Sequence, residues 1–158
     1  MSQNDFVSIF AALVTHAQEL GIFETVYQGE PKSAPTNGLT LALYVGGATD
    51  QGFSLVSQRS GLATVSKRVV LTARIHFPML HEPISDIETT VLSATEQYVD
   101  SLLSDFMLGH TVDFLDMFGA YGTGIAGLPG YITIDSKLFR VMSITLPVIL
   151  ESEATESE

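Results

Sequence analysis

The sequence predicts an α+β domain in which two amphipathic helices pack on a mixed, mainly antiparallel sheet, in the order α-β-β-β-α-β-β-β. Two stretches have apolar residues at helical spacing, and most other apolar residues alternate with polar ones as in strands. Two helices are too few to join all the strands by helical crossovers, which favours antiparallel neighbours. The chain has 158 residues, 46% of them apolar, and residues 1–150 are predicted to form a single domain.

The first part of the chain contains one helix and two strands. Apolar residues recur at spacings of three and four from Asp5 to Leu20, and Gly21 is suited to end a helix there. A short strand is predicted from Phe23 to Tyr27. The following stretch, Gln28 to Gly38, contains two prolines and an Asn-Gly pair, which indicates a loop. From Leu39 to Val45 a large aliphatic residue occupies every second position, which predicts a second strand.

The middle of the chain contains a long loop, a long strand and the second helix. The stretch from Gly46 to Leu62 is rich in Gly, Ser and Gln and is long for a hairpin connection, so it is either disordered or used for contact. From Thr64 to Phe77 apolar residues alternate with mostly polar ones, which predicts a strand with one core face and one largely polar face. Ser85 and Glu88 form a capping-box pattern, and helical spacing follows over roughly Asp86 to Asp105.

The last part of the chain is predicted to be strands and loops. Thr111 to Phe118 has the pattern of a strand, and five glycines between Gly119 and Gly130 predict a second contact loop. Tyr131 to Ile134 and Leu138 to Ile149 form a predicted hairpin. Residues 151–158 alternate Glu with small or polar residues and have no apolar anchor, so they are predicted to be a solvated, disordered acidic tail.

Composition excludes several classes of function. The 7 basic and 18 acidic residues give a net charge of −11, which opposes sequence-independent binding to nucleic acid or anionic lipid. Cysteine is absent, which excludes disulfides and thiolate metal sites. The first ten residues lack the features of a secretory signal, and the longest mainly apolar stretch is about half the roughly 20 residues needed to span a bilayer. We expect a soluble protein made in the cytoplasm, with no membrane partner.

No pattern in the sequence predicts catalysis. Gly122, Gly124 and Gly127 have the spacing of a dinucleotide fingerprint, but Leu-Pro-Gly follows where that motif requires a helix. The four histidines do not have the spacing of metal ligands, and no Gly-x-Ser-x-Gly nucleophile elbow is present. We therefore predict no catalytic, cofactor-binding or metal-binding residue and no cofactor.

Several segments together resemble one family. Their positions are residues 29–35 with 37–39, residues 60–63 leading into 68–72, residues 113–122, and residues 130–132 leading to 139–142 and 146–148. In these segments, and over about Phe6 to Leu150 as a whole, the sequence resembles the tail terminator proteins encoded by long-tailed (siphovirus) phages of actinobacteria.

The resemblance implies a structural virion protein and not an enzyme. Such proteins have a small α+β fold and assemble as a six-fold ring on the last ring of the tail tube. They stop tube polymerisation and present the surface that joins the head. The expected partners are other copies of the chain, the tail tube protein and a head-completion protein, and DNA is expected to pass through without specific binding. The expected location is the head-proximal end of the tail, after assembly in the cytoplasm of the host bacterium.

Residues for contact with another subunit or with the tube are predicted from loop composition and from the polar face of the long strand. Arg68 and Arg74 project from that face. They are either solvated or paired within the subunit, or they form ion pairs across a subunit boundary, where Arg is favoured. The predicted contact residues are Phe53, Leu55, Arg59, Arg68, Arg74, Tyr121, Ile125 and Leu128.

Two other functions remain open at this stage. A head-completion or connector protein also forms a ring, but its loss would leave tails of normal length. A small cytoplasmic enzyme or ligand-binding domain would need a pocket with convergent polar groups. The sequence does not indicate such a pocket.

Overall fold

The computed structural model describes residues 6–31, 38–46, 52–56, 64–79, 85–106, 114–115 and 124–153. Within them the elements are α1 (Phe6–Leu20), β1 (Thr25–Gln28), β2 (Thr40–Val45), β3 (Phe53–Val56), β4 (Thr64–Pro78), α2 (Ser85–Ser101) with a π-helical turn (Leu102–Phe106), β5 (Phe114–Leu115), β6 (Ala126–Ile134) and β7 (Lys137–Glu153). No helix in these ranges is long and apolar enough to cross a membrane.

All seven strands belong to one sheet, and β4 and β7 form its centre. These two strands pair antiparallel over the whole of β4, from Thr64 opposite Glu153 to Pro78 opposite Phe139. On the other side of β4 lie β2 and β3, with β1 beyond β2, and on the other side of β7 lie β6 and β5. Among the described strands, β1 and β2 form the single parallel pair. The predicted α+β class with a mixed, mainly antiparallel sheet is confirmed.

Both helices pack on one face of the sheet, which we call the helix face. In α1 the buried stripe is Ile9, Leu13 and Ala17, at the spacing that predicted the helix. In α2 the buried stripe includes Val91 and Tyr98. The central strands of the sheet contribute alternate residues to the main apolar cluster, which also contains the α1 stripe and Tyr98. The strand residues are Leu41, Leu43, Val69, Leu71, Ala73, Ile75, Ile144, Leu146, Val148 and Leu150.

The opposite face of the sheet is also buried. The alternation in β4 correctly separates a core side from a more polar side, but the more polar side is not exposed. His76 is 0% and Arg68 2% exposed, and Thr72 beside them is buried as well. From β7 the same face receives the buried Phe139 and Ile149. The alternative in which Arg68 is solvated is therefore wrong.

Three predicted boundaries are corrected by strand pairing. The predicted loop from Gly46 to Leu62 contains β3, because residues 53–56 pair with β4. The predicted contact loop from Gly119 to Gly130 becomes strand β6 at Ala126, because it pairs with β7. The predicted acidic tail begins later than expected, because β7 continues to Glu153 opposite the start of β4. The residues around β5 and after 153 lie outside the described ranges.

Candidate subunit interface

The predicted contact residues do not form one patch. Phe53 and Leu55 lie on β3, whereas Leu128 lies on β6 and Ile125 immediately precedes it. Because β3 and β6 are on opposite sides of the β4–β7 pair, these residues lie at opposite edges of the sheet. Arg68 and Arg74 lie between the two edges on β4. Arg59 and Tyr121 are outside the described residues.

The first edge is formed by β3 together with the end of β2. Leu55 is 66% exposed, and Val45 and Phe53 are also exposed. Val45 is opposite Leu71 in the register and Phe53 is opposite Val69, so both lie on the helix face. We call Val45, Phe53 and Leu55 the β3 edge. Val45 was missed because it shares one side of its strand with Leu41 and Leu43, which are buried.

The β3 edge is supported from the helix face by α1. The ring of Phe6, in the first turn of α1, meets that of Phe53 edge to face, with 6.1 Å between ring centroids. The ammonium group of Lys67, on β4 opposite Leu55, lies 5.9 Å from the centre of the Phe6 ring. The edge-to-face contact with Phe6 favours one orientation of the Phe53 ring while much of its surface remains exposed.

The second edge is the hairpin of β6 and β7. Its turn consists of Asp135 and Ser136, with φ of 54° and 67°, which is the two-residue type I′ geometry that suits the twist of a hairpin. Leu128 is 60% exposed, and Tyr131 and Leu138 are also exposed. We call Leu128, Tyr131 and Leu138 the hairpin edge. The latter two were assigned to the predicted hairpin from sequence, but their exposure was not anticipated.

Arg140 fixes the hairpin to α2. Its Nε lies 2.9 Å from Glu88 Oε2, and its Nη2 donates to Glu88 Oε1 at 3.1 Å, so the carboxylate is held in two places. Its Nη1 donates to the carbonyl of Gly130 at 3.3 Å, and its guanidinium carbon lies 4.5 Å from the centre of the Tyr131 ring. Glu88 is well exposed, so the ion pair itself stabilises the fold only modestly. The main effect is to orient β6.

On the opposite face, Arg74 makes its contacts within the subunit. Its Nε donates to Ser143 Oγ at 3.2 Å, and its guanidinium carbon lies 5.3 Å from the centre of the Tyr44 ring. Burial raises the pKa of Tyr44, although the charge of Arg74 acts in the other direction. A contact of Arg74 or Arg68 across a subunit boundary stays a prediction.

A cleft of about 300 Å³ lies beside Arg74 and carries both signs of charge. It is lined by Glu30, Pro31, Arg74, His76, Ile132, Thr133, Ile134 and Asp135. The His76 ring meets Phe139 edge to face at 6.1 Å. Burial, reinforced by the nearby Arg74, lowers the pKa of His76 to about 4, so this imidazole is neutral at pH 7.

Within the described part of the chain, no three His, Asp or Glu side chains lie close enough together to hold a metal ion. His81 and His110 are outside that part. No protein-family model matches the chain, and no curated protein matches it. The geometry of the chain is therefore the basis for assigning a function.

Proposed function

We propose that this chain is a structural subunit of the ring that caps the tail tube of a long-tailed phage, where it stops tube polymerisation and provides the surface that joins the head. The observation that carries the proposal is the pair of exposed apolar edges on opposite sides of one sheet. A ring built from identical subunits in head-to-tail contact requires two different patches on each subunit. The β3 edge and the hairpin edge meet this requirement.

Two further properties support the proposal. The α+β fold with a mainly antiparallel sheet is the fold that the resemblance to tail terminators implies. The net charge of −11 suits a ring through which DNA passes, because an acidic lumen repels the phosphate backbone. In this proposal the partners are the neighbouring copies, the tail tube protein on one side and a head-completion protein on the other. The six-fold order comes from the resemblance.

The test is an early stop codon in this gene within its phage, followed by measurement of tail lengths by negative-stain electron microscopy. Loss of the termination signal should give unattached tails that are abnormally long and variable in length. The matched control is the same phage grown in a host that suppresses the stop codon, where tails of uniform length should return. Tails of normal length lying beside filled heads would instead assign the chain to head completion. Normal infectious particles would exclude both structural functions.

A further inference from the structure

We infer that the hairpin edge of one copy pairs strand to strand with the β3 edge of the next copy, so that the sheets of neighbouring subunits join. This deepens the proposed function and rests on it for closure of the ring. The contact itself can be tested on the purified chain. Three observations support it: the direction of the backbone groups of β6, the lengths of the two strands, and the side chains on them.

The outer side of β6 offers backbone hydrogen bonds over a limited stretch. A two-residue turn makes Ile134 and Lys137 a hydrogen-bonded pair, and every second pair before it is also hydrogen-bonded. The N–H groups of Tyr131 and Thr133 therefore point away from β7. In the described residues β6 has no strand on that outer side. No described residue accepts a further backbone hydrogen bond from either N–H, so both can pair with an incoming strand.

Pro129 ends that stretch. Like Tyr131 and Thr133, it belongs to a pair whose backbone groups point away from β7, but proline has no N–H to donate. A partner strand can therefore pair with Gly130 to Ile134 and not with all of β6. This is a recognised way to stop unlimited edge-to-edge association. The remaining five positions match the four residues of β3, Phe53–Val56.

The side chains of the two strands are also compatible. Tyr131 is opposite Arg140, whose contact with α2 places it on the helix face, and Thr133 is on the same side of β6. Phe53 and Leu55 lie on the helix face of β3. In a joined sheet these uncharged side chains become cross-strand neighbours, and aromatic pairs with apolar residues are favourable there. Contact through uncharged edges also limits repulsion between copies that each carry a net charge of −11.

Pairing with further copies of the chain accounts for exposed apolar residues at both edges. If the hairpin edge paired with another hairpin edge, the β3 edge of each copy would stay exposed. The reverse holds for symmetric pairing through β3. Head-to-tail pairing covers Phe53 and Leu55 on one side and Tyr131 on the other in every copy of a closed ring. The clamp of Arg140 on Glu88, Gly130 and Tyr131 keeps β6 in place before contact, which lowers the ordering cost of association.

Cross-linking tests the arrangement directly. Because the chain has no cysteine, the introduced thiols are the only ones that a thiol-specific cross-linker can join. We would prepare Leu55→Cys and Thr133→Cys as separate proteins and treat each, and their mixture, with a short bismaleimide. A cross-linked dimer is expected in the mixture and not in either protein alone. A mixture of Ser93→Cys, on the exposed side of α2, with Thr133→Cys is the matched control and should give none. Equal cross-linking in all samples, or self-cross-linking of Thr133→Cys alone, would overturn the inference.

A second experiment tests the backbone contact. Thr133→Pro removes one outward N–H, whereas Thr133→Val keeps it and has a similar shape. Sedimentation should show self-association weakened about tenfold or more by the proline variant, as expected when one interface hydrogen bond is lost, and little changed by the valine variant. If the proline variant does not keep the wild-type circular dichroism spectrum, Leu55→Asp replaces it, with Leu103→Asp as the exposed control outside both edges.

Mixing the two edge variants gives the sharpest result. A copy with Thr133→Pro has an intact β3 edge, and a copy with Leu55→Asp has an intact hairpin edge. The mixture should therefore form complexes of two copies and none larger. A wild-type chain that stays monomeric up to its solubility limit and does not cross-link overturns the inference, even if the stop codon gives long tails. Conversely, positive cross-linking with tails of normal length would leave this contact standing and reject only the proposed role in termination.

Discussion

The two faces of the sheet have different compositions, yet both contain fully buried residues. The helix face is built from aliphatic residues such as Leu43, Leu71 and Ile144. The opposite face contains Arg68 and His76, which are as inaccessible as those aliphatic residues. Alternation along a strand shows which residues share a face, because successive side chains point in opposite directions. Whether a face is covered depends on the rest of the fold, and polarity alone does not indicate exposure.

The largest expected effect concerns the helix face. Leu43→Ala removes a fully buried side chain from the centre of the apolar cluster and should lower the free energy of unfolding by about 3 kcal/mol. Urea denaturation followed by circular dichroism measures it. Leu92→Ala, at an exposed position on α2, is the control and should change stability by less than about 0.5 kcal/mol. Equal effects at the two positions would contradict the packing of this face.

The second prediction concerns the opposite face at acidic pH. The pKa of His76 is about 4 in the folded chain, below the 6.5 of the unfolded chain, so the folded state binds fewer protons. The stability that depends on neutral His76 is complete above pH 6.5 and decreases as the pH falls toward 4. Between pH 7.5 and 5 this loss should be about 2 kcal/mol.

The control for that prediction is the pH dependence of His76→Asn. Other groups titrate in both proteins, so the difference between the two stability curves isolates His76. As the pH falls from 7.5 to 5, the free energy of unfolding of wild type should fall by about 2 kcal/mol more than that of the variant. Curves that remain parallel over this range would show that His76 is not held neutral on the opposite face.

The smallest effect concerns the hydroxyl of Tyr98, a polar group in the apolar core on the helix face. Tyr98 is fully buried, and its hydroxyl has no hydrogen-bond partner among the described residues. Tyr98→Phe removes that hydroxyl and should raise the free energy of unfolding by about 1 kcal/mol, because an unsatisfied polar group is no longer buried. Tyr131→Phe, at an exposed position, is the control and should leave stability unchanged in thermal denaturation. A destabilised Tyr98→Phe would indicate that the hydroxyl has a partner.

The sequence pattern was sufficient for the elements with long, regular periodicity, namely α1, α2, β2, β4 and β7. It was insufficient for β3, whose four residues become a strand because β4 lies beside them. The start of β6 was missed for a related reason, since Gly127, Pro129 and Gly130 suggest a loop but are tolerated on an edge strand.

The exposure of three apolar residues at the sheet edges agrees with their choice from sequence, and their contact with another subunit stays a prediction. Phe53, Leu55 and Leu128 were chosen from apolar residues in polar, glycine-rich surroundings. Their placement on opposite edges could not be derived, because strand order is a property of the whole fold. Tyr131 and Leu138 were missed because exposure at an edge depends on which neighbouring strand is lacking in the described chain.

The pairing of β4 with β7 also has a consequence for biosynthesis. The paired residues of the two strands are far apart in sequence, since Pro78 pairs with Phe139 and Thr64 with Glu153. Closing so long a loop is entropically costly, and sheets built on distant pairs form slowly. The centre of this sheet cannot be completed until β7, which ends at Glu153, has left the ribosome. Any product truncated before Phe139 lacks a central strand, so the sheet forms only after β7 has been synthesised.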